Sequence, residues 1–480
     1  MRRTVESGGF EEFLESSRAV AEFIKERALE GWSFTVLCHL DADGLSSGAI
    51  VGKALMRLQA PFQIRVLKQL DERSLKEVYT KDRATVFVDM GSGSLNILSS
   101  LEGAENIAVL DHHQPLETHL EEFKGAHLNP HLYGLNGSTD VSGSGVAYLV
   151  AKGLDPSNVD LSPLAVVGAI GDMQNRNDEM RLRGVNEVIV REAVESGLLK
   201  VEKDLLIPGR ETKPIHRALA STMTPFIPGI SGEEDKALAF LSSIGIPVKD
   251  GDIWRTLADL SEDEKRRLLD NLVAYMASRG VAQAETQRLV GEVYVLTREQ
   301  RFTPLRDCRE YAALLNACGR LGKPGLGIAV AMGDRRRRTL EETASVLNEY
   351  RGALARLIEG VIQNPSRLID AEEIVIVNGV GLIPENLLST VASILSANYP
   401  KPLIAFTETE DGMVKVSARA PKRLAEAGVN MGRIMAEAAE SVGGVGGGHD
   451  VAAGALIPST GRGDFLKRVM EFIGETVARG

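Results

Sequence analysis

Cys38-His39-Leu40-Asp41-Ala42-Asp43-Gly44 is the stretch whose reading decides the fold. It follows Phe34-Thr35-Val36-Leu37, a short apolar run that predicts a buried strand. After it come Ser46 and Ser47, then Ala49-Ile50-Val51 and Ala54-Leu55-Met56, which predict a helix over 45–58. A strand ending in carboxylates, a glycine turn and a helix place charge at the carboxyl end of a sheet. Open α/β proteins bind ligands in that crevice. His39, Asp41 and Asp43 alternate, and alternate residues of an extended segment point the same way. Two carboxylates buried this close are unfavourable unless a cation or a shared proton neutralises them.

The pattern repeats down the chain. A strand over 84–88 ends in Asp89, and a strand over 107–110 ends in Asp111-His112-His113. A helix from Ser162-Pro163 ends in Gly171-Asp172. Strands alternating with helices imply a parallel sheet. Residues 128–145 read as a loop; its Gly-rich end at a helix start is a connector or an anion seat built from free N–H groups. Proline and glycine accumulate over 205–235, which reads as a boundary or a lid. The stretch 233–319 is mostly helical, with a short strand over 293–296. A long helix over 340–362 precedes a second α/β section. Its strands are placed at 373–377, 402–406 and 413–418, and its helices at 385–397, 430–440 and 463–478. The expected architecture is α/β in three parts: a parallel-sheet domain over 1–203, a helix-rich insertion over 204–325, and a linker helix with an α/β domain over 326–480.

Composition excludes several classes. With 44% hydrophobic and 25% charged residues among 480, the chain reads as globular and not disordered. A net charge of −11 confines any nucleic-acid surface to a local basic groove. The three cysteines, Cys38, Cys308 and Cys318, form no disulfide framework and suit a reducing compartment. No apolar run approaches the ~20 residues of a membrane helix. Glu6, Glu11 and Glu12 stand where a signal peptide needs an apolar core. The expectation is a cytoplasmic protein with no membrane partner.

His39, Asp41, Asp43, Asp89, His112, His113 and Asp172 supply carboxylate oxygens and imidazole nitrogens, with no thiolate. Singly each has an ordinary explanation, such as a helix cap or a core histidine. Jointly they suit manganese or magnesium better than structural zinc. Two such ions about 3.5–4 Å apart clamp both oxygens of an in-line phosphoryl displacement.

His39-Leu-Asp41-Ala-Asp43-Gly, Val88-Asp89, Asp111-His112-His113 and Gly171-Asp172 stand in the order of the four motifs of the DHH phosphoesterase superfamily, which the chain resembles over its whole length. Gly446-Gly447-Gly448-His449 is similar to the signature of that superfamily's C-terminal domain, called DHHA1. Within the superfamily the chain most resembles the archaeal RecJ-like exonucleases. These include the GINS-associated nuclease, which is related to the eukaryotic Cdc replisome factor. The resemblance implies one cation on His39, Asp41 and Asp89, and a second on Asp43, Asp89, His112 and Asp172. It implies that His113 faces the scissile phosphate and that Asp111 orients a histidine. Bacterial RecJ usually opens its first motif with Asp where this chain has His39, which leaves the choice between manganese and magnesium open.

The resemblance also assigns phosphate contacts to Ser417 and Arg419. The glycine run 443–448 reads either as a flexible loop or as a backbone cradle for phosphates, with His449 at its rim. The run Arg335-Arg336-Arg337-Arg338 reads equally as a solvated turn or a phosphate contact. The stretch from Arg309-Glu310-Tyr311 to Asn316-Ala317-Cys318-Gly319-Arg320 resembles the archaeal pattern but carries no assigned chemistry. The implied function is two-metal hydrolysis of single-stranded DNA, 5′ to 3′, with RNA as a further substrate and the GINS complex as partner. Its rivals are a phosphodiesterase of oligonucleotides or cyclic dinucleotides, and a replisome scaffold.

Overall fold

The computed structural model describes residues 7–115, 120–222, 225–281 and 283–479. The chain forms two compact units: the first holds the residues up to Ser221 and Glu234–Leu347, the second 222–233 and the residues from Asn348 onward. The first opens with α1 (Ser7–Leu29), β1 (Phe34–His39), α2 (Ala42–Arg57), β2 (Phe62–Leu67), α3 (Glu72–Val78), β3 (Ala84–Val88), α4 (Leu95–Ser99), β4 (Ile107–Leu110), β5 (Ala126–Leu128), α5 (Gly143–Leu154), α6 (Ser162–Gly171) and α7 (Gly184–Glu195).

The first sheet has the order β2-β1-β3-β4-β5 and every pairing in it is parallel. β3 and β4 are buried along their whole length, as strands covered on both faces must be. Leu37, Phe87 and Val109 pack with Leu75, Leu95 and Leu98 of α3 and α4 on one face. α2, α5 and α6 pack together with the sheet on the other. Cys38 pairs with Val88, and Val88 with Leu110. The residues that follow, His39, Asp89 and Asp111, therefore leave the sheet at one level.

The middle of the chain adds β6 (Leu199–Leu205), α8 (Ile215–Ala220), α9 (Glu234–Ser243), β7 (Lys249–Asp250), β8 (Ile253–Trp254), α10 (Glu262–Ser278), α11 (Gln283–Gln287) and β9 (Val290–Leu296). β6 pairs antiparallel with β9, from Leu199 opposite Leu296 to Leu205 opposite Val290, and ties the segment at its base. The sequence reading ended a helix near residue 200 and gave only 293–296 as strand. Four of the seven residues of β6 are charged, and the strand forms against a partner far along the chain.

Arg210 donates to Asp204 at 2.6 Å and to Glu202 at 2.8 Å, and Lys265 reaches Asp204 at 2.9 Å. Arg210 and Asp204 are both buried. Replacing Arg210 by methionine is expected to cost about 2–3 kcal/mol in denaturant unfolding. That is below the ~3–5 kcal/mol of a fully stranded buried charge, because Lys265 still pairs.

α12 (Cys308–Arg320) and α13 (Pro324–Ala331) return to pack on α2, and α12 also on α6. The division between the units falls within α14 (Arg337–Ile362). The arginine run that leads into it is paired with carboxylates: Arg335 with Glu299, Arg336 with Asp334, and, in its first turn, Arg337 with Glu341 and Arg338 with Glu342.

The second unit continues with β10 (Leu368–Asp370), β11 (Val375–Asn378), α15 (Leu388–Ser396), β12 (Leu403–Glu408), β13 (Met413–Arg419), α16 (Lys422–Glu426), α17 (Met431–Glu440), β14 (Val445–Gly448), β15 (Ala452–Pro458) and α18 (Arg462–Arg479). Its sheet has the order β10-β11-β12-β13-β15-β14. Val414, Val416, Ala418 and Ile457 pack against Met435 of α17 and Phe465 and Val469 of α18. α15 packs on β12 and β13. The α/β class with a parallel first sheet is as expected. Among the described residues no helix is long and apolar enough to cross a membrane.

Candidate metal centre

The crevice above β1, β3 and β4 gathers the acids and imidazoles. Asp41 caps α2, its Oδ1 accepting from the Gly44 N–H at 3.0 Å. Asp43 lies in the first turn of α2, and its carboxylate meets the start of α5. There the Gly143 N–H donates to Oδ2 at 2.7 Å and the Ser144 N–H to Oδ1 at 3.0 Å. These are the orphan donors of a helix N-terminus, a natural seat for an anion. The Gly-rich stretch ending at the start of α5 is thus an anion seat, one of its two expected readings, and the anion is a carboxylate of the chain itself. The close approach needs glycine: a β-carbon at Gly168 would stand 2.4 Å from Asp43 Oδ1, and one at Gly143 2.7 Å from Asp89 Oδ1.

Asp89 is 2% exposed and has a φ of 58°, a left-handed conformation that costs a non-glycine residue energy and clusters at functional sites. Its Oδ2 lies 3.9 Å from His39 Nδ1 and its Oδ1 3.1 Å from His112 Nε2, yet Oδ1 is buried without an aligned hydrogen bond. His39 Nδ1 is 2.9 Å from Asp41 Oδ2. His112 Nδ1 is 2.6 Å from the Gly137 carbonyl, which fixes that nitrogen as the donor and leaves Nε2 toward Asp89. Asp172 Oδ2 lies 3.9 Å from His112 Nδ1 and accepts from Gln174 Nε2 at 2.8 Å. His113 is 45% exposed, with Nδ1 2.8 Å from Oδ1 of the buried Asp111. Asp111 also accepts from the Ser92 and His112 N–H groups at 2.9 and 2.8 Å.

Protonation follows from this crowding. Burial and the charges of Asp43 and Asp41 push the Asp89 carboxyl well above its usual range. Burial, with Asp43 adding to it against the pull of His112, raises Asp172 to about 6. Burial opposes a charge on His112, but Asp89, Asp172 and Asp43 outweigh it and raise the imidazole well above its usual value. Burial likewise opposes ionisation of Asp111, and its contact with His113 outweighs that and holds the carboxyl low.

Three overlapping sets bring ligand atoms within 4.8 Å of one another: Asp89, His112 and His113; His39, Asp41 and Asp89; Asp43, His112 and Asp172. Asp89 and His112 are shared. An orphaned carboxylate oxygen, excess acid and an all-oxygen-and-nitrogen donor set fit hard divalent cations. Arg320, a residue given no role from sequence, sets its charge against His39 and Asp41.

The expected phosphate residues lie in the second unit. Ser417 and Arg419 are on β13, where Arg419 donates to Ser417 Oγ at 3.1 Å and to Ser393 Oγ of α15 at 2.8 Å. The glycine run is not a loop: Gly446, Gly447 and Gly448 form most of β14. Ser417 pairs with Gly454 of β15, and Gly454 with Gly447, so the three stand in one row. Gly446 faces α17, whereas a β-carbon at Gly448 would meet Ala452 and Ala453 of β15. A β-carbon at Gly446 would meet the Met435 carbonyl at 2.3 Å, whereas one at Gly447 would meet nothing within 4 Å. The His449 carbonyl accepts from the Gly432 N–H at 2.9 Å.

Residues 375–475 match the model of the DHHA1 domain, and residues 207–290 that of the DHH-CID domain. An uncharacterized protein of Methanocaldococcus jannaschii is 32% identical over 476 residues, 98% of this chain and 100% of its own. The chain belongs to the DHH superfamily, and its fold is similar to that of RecJ. CDC45 from Entamoeba histolytica matches this DHH protein with a TM-score of 0.65 and 13% identity over 96% of this chain and 99% of its own. RecJ from Thermus thermophilus in complex with Mn2+ matches with a TM-score of 0.59 and 18% identity over 96% of this chain. The DHH protein spans 55% of that RecJ chain. These likenesses concern the fold.

Proposed function

We propose that this DHH protein is a metal-dependent exonuclease that hydrolyses phosphodiester bonds of single-stranded DNA in the 5′-to-3′ direction. RNA is a further substrate, and the protein acts in replication or repair with the GINS complex. The observation that carries the reading is the convergence of three ligand sets on the shared Asp89 and His112. His39, Asp41 and Asp89 would hold one divalent cation, and Asp43, Asp89, His112 and Asp172 the other, as Mn2+ or Mg2+. When bound, such a pair clamps the attacking and leaving oxygens and makes hydroxide available near neutral pH. The chain's own part is positional. The α5 N-terminus fixes Asp43, Gly137 fixes the tautomer of His112, and Asp111 holds His113, which is exposed enough to meet the scissile phosphate. Ser417, Arg419, Gly446, Gly447, Gly448 and His449 would hold phosphates of the strand. Residues 204–325 would act as an insertion between a catalytic domain over 1–203 and the C-terminal part over 326–480.

A scaffold without catalysis would have altered ligands, and here every position is filled. The test is digestion of 5′- and 3′-labelled DNA and RNA strands in parallel, with Mn2+ or Mg2+ and with a chelator. The expected result is a ladder that recedes from the 5′ end of long DNA strands and vanishes with chelator. Cleavage of dinucleotides alone would favour a small-substrate phosphodiesterase instead.

A further inference from the structure

α6 ends at Gly171, and the chain turns back at once. The Asp172 N–H donates to the Gly168 carbonyl at 2.9 Å and the Gln174 N–H to the Ala169 carbonyl at 3.1 Å, which closes the last turn. Between them Met173 takes a φ of 60°, the left-handed conformation that usually falls to glycine where a helix stops. A methionine there costs energy, and such costs collect at functional sites. The turn brings the Gln174 side chain back beside Asp172, where it is 4% exposed.

The surroundings sort the two ends of that amide. Nε2 faces three oxygens: Asp172 Oδ2 at 2.8 Å, the Gly137 carbonyl at 2.8 Å and the Val141 carbonyl at 3.3 Å. Only the nitrogen end can face oxygens alone, and its pair of hydrogens matches the two short contacts. Oε1 accepts from Asn186 Nδ2 of α7 at 2.7 Å. Asn186 is buried too, and its Oδ1 accepts from the N–H of Ser142, the cap of α5, at 3.4 Å. The Gly137 carbonyl is the same one that takes the His112 Nδ1 proton. A β-carbon at Gly137 would stand 1.9 Å from the His112 carbonyl oxygen, so only glycine brings that acceptor so near. Gln174 therefore touches Asp172 and shares an acceptor with His112. Through Asn186 it reaches the helix start whose N–H groups hold Asp43. Asp43, His112 and Asp172 form one ligand set. Among the described residues Gln174 makes no hydrogen bond to His39, Asp41 or Asp89.

We infer that Gln174, anchored by Asn186, is the positioning residue for the cation on Asp43, His112 and Asp172, and not for the one on His39 and Asp41. Groups that hydrogen-bond to metal ligands fix their orientation. A neutral amide does so for a carboxylate and an imidazole at once, without changing the charge of the ligand set. His39 and Asp41 stand outside this relay, Asp41 being held by the Gly44 N–H instead. The inference rests on the two-cation reading of the centre and not on the identity of the strand.

The test is titration of the chelator-stripped protein with Mn2+, the free ion being counted by its electron paramagnetic resonance signal. Wild type is expected to bind a pair of ions. Gln174→Met keeps the length of the side chain and removes its hydrogen bonds. It is expected to weaken one of the two affinities about 10–100-fold, the scale for losing a group that orients a metal ligand, and the other less than about threefold. Asp41→Asn, on the opposite ligand set, should weaken the affinity that Gln174→Met spares. Asn186→Ala leaves Gln174 beside Asp172 and Gly137, and should weaken the same affinity as Gln174→Met by about three- to tenfold. It carries the test if Gln174→Met does not fold with chelator present. Strand hydrolysis by Gln174→Met should recover toward wild type as Mn2+ is raised, because every ligand remains. Two affinities that stay unchanged or fall together in the folded variant would overturn the positioning role and leave the nuclease reading standing. Loss of one and the same affinity in Gln174→Met and Asp41→Asn would overturn it too. A wild type that binds the pair but cuts no strand, with one affinity lost in Gln174→Met and the other in Asp41→Asn, would overturn the nuclease reading and keep the positioning role.

Discussion

Replacing Asp89 by asparagine is expected to abolish hydrolysis of labelled strands while leaving the chelator-treated protein at least as stable as wild type. The loss should be on the order of 10³-fold or more, the scale seen when one group that stabilises developing charge is removed. The stability half follows from electrostatics. Burial and the charges of Asp43 and Asp41 raise the Asp89 carboxyl in the folded chain. A carboxyl raised on folding makes the fold less favourable as pH climbs past its unfolded value of about 3.9. Asparagine removes that charge at constant shape. It also tolerates the φ of 58° that Asp89 adopts, as few other residues do. Alanine would lack that tolerance and would confuse the two effects. Manganese should raise the melting temperature of the wild type, by about 2.7 kcal/mol equivalent at a hundred times the dissociation constant. The variant should lose most of that gain. A variant that retains full activity, or that melts far below wild type with chelator present, would remove Asp89 from the centre of the site.

The acids and imidazoles were legible because each sits at the end of a local element. A strand that stops at a carboxylate, followed by glycine and a helix, is written within a few residues, and β1, β3 and β4 repeat it. Register then does the rest: equal strand ends put His39, Asp89 and Asp111 at one level. What the sequence did not disclose depends on distant partners. β6 exists because β9 pairs with it, and the charged face of β6 hides that strand from any local pattern. Gly143 and Ser144 read as a connector or an anion seat, and the anion stayed unnamed because nothing near them in sequence is the carboxylate they hold. The arginine run 335–338, conspicuous as a string, turns out to be paired with nearby carboxylates.

The glycine run tests how far a motif separates packing from binding. Gly446→Ala is expected to destabilise the second unit by about 3 kcal/mol or more, because the new methyl meets the Met435 carbonyl at 2.3 Å and neither backbone can yield cheaply. Gly447→Ala should leave stability unchanged or raise it by about 0.5–1 kcal/mol, the gain from a less flexible unfolded chain. A β-carbon there meets nothing within 4 Å, and Gly447 stands in the row with Gly454 and Ser417. Adjacent residues of one strand thus answer to different demands: Gly446 to α17, Gly447 to whatever approaches the open row. If phosphates approach there, Gly447→Ala should weaken strand binding about tenfold at unchanged melting temperature, the cost of about 1.4 kcal/mol in a close contact. If the row serves packing alone, strand binding by Gly447→Ala will match wild type, and phosphate contact then falls to Ser417 and Arg419 without the glycines.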